Sequence, residues 1–107
     1  MLDEVRTTEL MVLTKAQGSY ATADMAGPWN FVSLAAGLDE PWWSRGTLTV
    51  AANGAVSGTL NDSNGSPHPA SGILTITADG VVTRSGDPDF RCAMDAGKTV
   101  LVCTTSW

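Results

Sequence analysis

Apolar and polar positions alternate most cleanly in two stretches that repeat each other. Residues 46–59 read GTLTVAANGAVSGT, and residues 72–85 read GILTITADGVVTRS. Each runs through alternating threonine and aliphatic residues into Ala-Asn-Gly or Ala-Asp-Gly and then resumes as strand. A period of two around such a break predicts the same β-hairpin twice. Gly54 and Gly80 fall where a three-residue hairpin loop needs positive φ. Closing on that loop sets Val50 opposite Val56 and Ile76 opposite Val82, with the threonines on the other face. A register one residue longer would set Val50 and Ile76 against Ser57 and Thr83, so burial selects the first.

The rest of the chain is punctuated in the same way. Residues 1–7 are polar and expected to fray. Residues 8–15, TELMVLTK, predict a first strand with Leu10 and Val12 on one face and Met11 and Leu13 on the other. Residues 16–28 lean toward a short helical turn around 19–26, capped by Ser19 and stopped by Gly27-Pro28. Trp29-Asn-Phe-Val-Ser-Leu resumes strand, and residues 35–46, AAGLDEPWWSRG, form a loop with adjacent tryptophans. Residues 61–71, NDSNGSPHPAS, are a polar loop, and Ser85-Gly-Asp-Pro-Asp is a turn by composition. Phe90–Met94, Asp95-Ala-Gly97 and Lys98–Cys103 make a third hairpin with Gly97 as its bulge. No helix is long enough to cross over between parallel strands. The expectation is one all-β domain over residues 1–107. It is an antiparallel meander of about eight strands, closed or nearly closed into a barrel, with a β-sandwich as the alternative.

Composition narrows the partners. Apolar residues make up 43% and charged residues 16%, with a net charge of −5. Phosphate backbones and anionic membrane surfaces need clustered Lys and Arg, and the six basic residues here are scattered. The expectation is therefore no nucleic acid and no membrane. No apolar run is long enough to span a bilayer, and Met1-Leu-Asp-Glu lacks the basic start and apolar run of a signal peptide. A Thr-rich, Lys-poor meander favours a segment of a longer secreted chain over a cytosolic protein.

Few residues suggest chemistry. His68 is the only histidine and sits between two prolines in a polar loop. A catalytic role would need a carboxylate and a hydroxyl beside it. Asp62-x-Asn64-Gly65 and Asp87-Pro-Asp89 faintly echo calcium loops, but no distal bidentate Glu follows, so neither metal nor cofactor is expected. Arg84 lies on the core-facing side opposite Leu74. It either snorkels to solvent at an open barrel end or meets buried carbonyls or a carboxylate. Trp42 and Trp43 either fold down together as a lid, or leave one ring exposed as a platform for a carbohydrate or a protein partner. Cys92 and Cys103 fall on opposite faces if the Asp95-Ala-Gly97 loop copies the other two, which predicts no bridge. A two-residue Ala96-Gly97 loop would bring them onto one face.

Two resemblances add to this. Gly27-x-Trp29, after a short helical turn, resembles the Gly-x-Trp opening of lipocalins and avidins. That likeness implies an eight-stranded barrel closed at one end by a buried Trp29. TTELMVLTK, DMAGPWNFVSLAAG, PWWSRGTLTV and MDAGKTVLV are similar to a unit of a tandem β-rich repeat in large secreted bacterial proteins, a family without an established activity. The expectation is a non-enzymatic extracellular module acting in structure, adhesion or assembly, with neighbouring copies or another surface protein as partner. The alternative is a small apolar-ligand barrel of lipocalin type. Strands 8–15 and 99–104, each apolar on both faces, are expected to pair and close the sheet. Met11, Leu13, Leu101 and Cys103 would then form an outer apolar surface for assembly.

Overall fold

Alternation becomes structure wherever the sequence repeats it. The computed structural model describes residues 11, 13, 15, 18–35 and 41–105. Among these residues, eight strands follow one 3-10 turn, Thr22–Met25. They are β1 Gly27–Ala35, β2 Trp42–Val50, β3 Val56–Asp62, β4 Pro67–Pro69, β5 Leu74–Ile76, β6 Val81–Arg84, β7 Asp87–Met94 and β8 Leu101–Thr104. The first four form one antiparallel sheet in sequential order and the last four form another. The protein is all-β.

Both repeated hairpins adopt the register that burial selects. Val50 faces Val56 and Ile76 faces Val82, while Gly54 and Gly80 take φ of 91° and 93°. Thr47, Thr49 and Thr75 are exposed on the opposite faces.

The expected barrel is corrected to two open sheets, and two prolines supply the reason. Hydrogen bonds from Asp62 to Ser66 and from Ala70 to Gly58 fix which residues of β4 face β3. Leu60 and His68 are a bonded pair, so Pro67 and Pro69 turn their nitrogens outward. An antiparallel strand points alternate residues at each neighbour, and a proline nitrogen donates nothing. No fifth strand can extend this edge. The segment expected to be a polar loop therefore contains the edge strand that ends the first sheet.

The second sheet begins again at β5, whose outer edge takes the tip of the first hairpin. Val56 N–H donates to Gly72 O and Leu74 N–H to Gly54 O, both at 2.9 Å, and Ala55 bridges Ile73. In the second hairpin the corresponding bond, Met94 N–H to Gly80 O at 3.1 Å, extends the β6–β7 ladder within its own sheet. The core sits on the second sheet. It comprises Leu74, Ile76, Val82, Cys92 and Met94 with Val50, closed over by Tyr20 and Met25, and Trp29, Leu48, Val56, Phe90 and Leu101 pack around it. The half of the first sheet that carries Phe31, Trp42 and Leu60 lies outside this cluster.

Other expectations need correction. The helical turn is not capped by Ser19. The cap position is Ala21, itself extended at φ −138° and ψ 159°, and the Asp24 carboxylate accepts from Ala21 N–H at 2.8 Å. The strand over residues 8–15 lies largely outside the described residues. Met11, Leu13 and Lys15 belong to no strand and are exposed, and β8 pairs with β7 rather than with them.

The third hairpin turns through four residues, not three. Asp95 accepts the N–H groups of Thr99 and Val100, each at 2.8 Å, and Lys98, not Gly97, takes positive φ. That shifts the parity. Cys92 comes opposite Cys103, and the two form a disulfide. Leu101 and Cys103 consequently share the core-side face of Met94 and Cys92, while Val100 and Val102 lie on the outer one.

Candidate functional site

Three places bring polar or aromatic groups together. The first is the far end of the β1–β2 hairpin. Strand extends further than the sequence suggested, so Trp42 and Trp43 lie within β2, opposite Ala35 and Leu34. Alternation separates the rings. Trp42 is half-buried on the inner face, and Trp43 is 37% exposed on the outer one. The Arg45 guanidinium lies 5.3 Å from the Trp43 ring centroid, a cation–π arrangement. Leu34, Ala35, Pro41, Trp42 and Trp43 line a cleft of about 350 Å³. These five side chains offer no carboxylate, amide or hydroxyl, the groups that fix the orientation of a sugar.

The second is a polar cluster on the inner face of the same sheet. Ser44, 2% exposed, donates its hydroxyl proton to Asp62 Oδ1 at 2.6 Å. His68 Nδ1 lies 3.3 Å from the same oxygen. β2, β3 and β4 each supply one member, and Ser44 and Asp62 are direct cross-strand partners. A hydroxyl, a carboxylate and an imidazole are present, but the carboxylate stands in the middle. An activated serine needs the imidazole between the hydroxyl and the acid, so that the ring can take the proton. Here the serine proton is committed to Asp62, and the cluster ties three strands together.

The third is a junction between the 19–29 segment and the β7–β8 loop. Lys98 Nζ reaches Asp24 Oδ2 at 3.0 Å and Ser19 O at 3.1 Å, and lies 5.5 Å from the Tyr20 ring centroid. Among the described residues, Lys98 is the one non-glycine at positive φ. Its strain is held by three contacts made at once. The Ala21 N–H and then Lys98 hold Asp24 below the usual carboxylate range. Asp95 is held low chiefly by Val100 N–H, with burial opposing. A smaller cleft of about 260 Å³ opens here beside Trp29, whose indole N–H is spent on Met25 O at 2.8 Å.

Arg84 faces Leu74 as expected, but at the seam between the sheets. Its Nε and Nη2 donate to Ser71 O at 3.2 and 2.9 Å, and Asp87 lies 3.8 Å away. It clamps the linker from β4 to β5 against the second sheet.

Sequence reasoning missed Ser44, Lys98 and the exposed Val32 and Leu34. Ser44 reads as an interruption of strand pattern until β3 brings Asp62 opposite. Lys98 follows Gly97, the residue that loop chemistry alone favours for positive φ. Comparison with known protein families, with curated proteins and with solved structures returns no match.

Proposed function

We propose that this chain is a non-enzymatic structural and assembly module of an extracellular protein, one unit of a larger repeat chain. The observation that carries the reading is the repeated hairpin contact. Each Ala-Asx-Gly tip offers its glycine carbonyl to the amide of a later strand, Gly54 to Leu74 and Gly80 to Met94. A bond used twice in one chain, once between the sheets and once within the second, suits an architecture extended by adding further hairpins. The Cys92–Cys103 disulfide agrees with an oxidising compartment. The order of Ser44, Asp62 and His68 favours binding the strands together over hydrolysis.

The lipocalin-type alternative would need an enclosed interior lined by Phe31, Leu48, Val50, Leu60, Leu74, Ile76, Phe90 and Met94. Of the two clefts described above, neither is lined by any of them. The test is to capture the native polypeptide from its source with an antibody against this chain and to measure its mass and sequence. A chain several times 11.1 kDa with recurring units supports the reading. A native protein of a single unit refutes it.

A further inference from the structure

We propose that copies of this chain associate head to tail by strand addition, the open edge of β1 on one molecule pairing with the open edge of β8 on the next. The proposal rests on the assembly reading above and names the surface through which it acts.

Two sheets present four outer strands, and two of these are closed. Pro67 and Pro69 strip the outer edge of β4 of donors. On and beside β5, Leu74 N–H, Gly72 O and Ala78 O are taken by Gly54, Val56 and Tyr20. Among the described residues, the other two strands carry no such guard. In β2 the odd-numbered residues bond to β3, as the Ala51–Ala55 and Ser63–Trp43 bonds establish. Its even-numbered residues therefore bond to Gly27, Trp29, Phe31 and Ser33 of β1. The N–H and C=O groups of Asn30, Val32 and Leu34 point outward, without a partner among the described residues. In β8 the same reasoning, from the Asp95–Val100 bond, leaves Leu101 and Cys103 pointing outward.

Natural sheets protect such edges with charge, proline or cover. β1 has no charged residue, and its one proline, Pro28, guards only the start. Its outer face instead shows Val32, 72% exposed, and Leu34, 83% exposed. Trp29 and Phe31 are half-buried on the inner face. This edge is apolar on both faces and accommodates a strand of the same kind, since cross-strand pairs form on each face. β8 is such a strand, with Leu101 toward the core side and Val102 and the adjacent Val100, 49% exposed, on the outer side. The two edges differ, so the contact is heterologous and each molecule keeps one edge free to continue the series.

The experiment uses the full chain and two single variants, Val32→Lys to block β1 and Val100→Lys to block β8. Both positions are exposed, and circular dichroism should show wild-type folding. Leu34→Lys and Val102→Lys replace either variant that fails to fold. Sedimentation should give a wild-type mass that rises with concentration, while each variant alone stays at 11.1 kDa. An equimolar mixture should form a species of twice that mass, because one variant keeps β8 open and the other keeps β1. A wild type that is monomeric at every concentration overturns the proposal. So do variants that still associate alone, or a mixture that stays monomeric. Recurring units in the native polypeptide together with a monomeric chain would refute the edge pairing and leave the assembly reading standing.

Discussion

Replacing Gly54 by alanine should destabilise the protein far more than the same change at two other glycines of similar backbone conformation. Gly54, Gly80 and Gly65 have φ of 91°, 93° and 85°, so an alanine suffers comparable strain at each, about 1 kcal/mol or somewhat more. Their surroundings differ. A Cβ at Gly65 meets nothing within 4 Å, whereas at Gly80 it meets the Tyr20 ring at 3.0 Å, which can shift a little. At Gly54 it collides with the backbone carbonyl of Leu74, on the strand that also donates to Gly54 O. Relief there requires parting the first hairpin from β5, with loss of paired backbone groups at about 1–3 kcal/mol. The expected order is about 1 kcal/mol for Gly65→Ala, about 2 for Gly80→Ala and about 4 for Gly54→Ala. Urea unfolding read by tryptophan fluorescence measures all three, provided the slopes agree. A Gly54→Ala variant no less stable than Gly65→Ala would refute the claim that this tip joins the sheets.

Three further outcomes follow from the packing. Reducing Cys92–Cys103, which closes a loop of sequence separation 11, should lower stability by about 3 kcal/mol on chain entropy; an unchanged melting curve after reduction would contradict it. Trp29→Ala should cost about 3 kcal/mol, at the lower end for a large aromatic because the ring is only partly buried; denaturant titration checks this. Asp24 and Asp95 are held below their ordinary carboxylate value, so each adds stability in full above that unfolded-state value of 3.8. This contribution is lost as pH falls through the lower folded-state values. Acid titration by NMR should therefore show the 19–24 segment and the 95–100 loop loosening together below about pH 4; loosening already at neutral pH would oppose the assignment.

Much of the fold was legible because local rules and burial agreed. Both Ala-Asx-Gly hairpins, their register and their positive-φ glycines follow from alternation plus the demands of a tight loop. The failures occurred where a side chain overrode the local pattern. Asp95 widens the third loop by accepting two amides, and that one carboxylate reverses the parity that decides the disulfide. Pro67 and Pro69 suggested a loop, whereas their missing donors suit an edge strand, and that edge decides between a barrel and two sheets. The polar cluster was invisible because Ser44, Asp62 and His68 meet only once three strands are in register. Trp42 and Trp43 were read as a loop pair, folded down together or with one ring exposed, and the strand alternation that separates them was not legible.

Residue-resolved amide hydrogen exchange along β1 and β5 tests the account most directly. In dilute solution the amides of Trp29, Phe31 and Ser33 should be protected by β2, and Leu74 by Gly54. Asn30, Val32 and Leu34 should exchange quickly, then slow as concentration rises and β1 acquires its partner strand. Rapid exchange at Leu74, or uniform protection along β1 at every concentration, would contradict two joined sheets with one edge open for assembly.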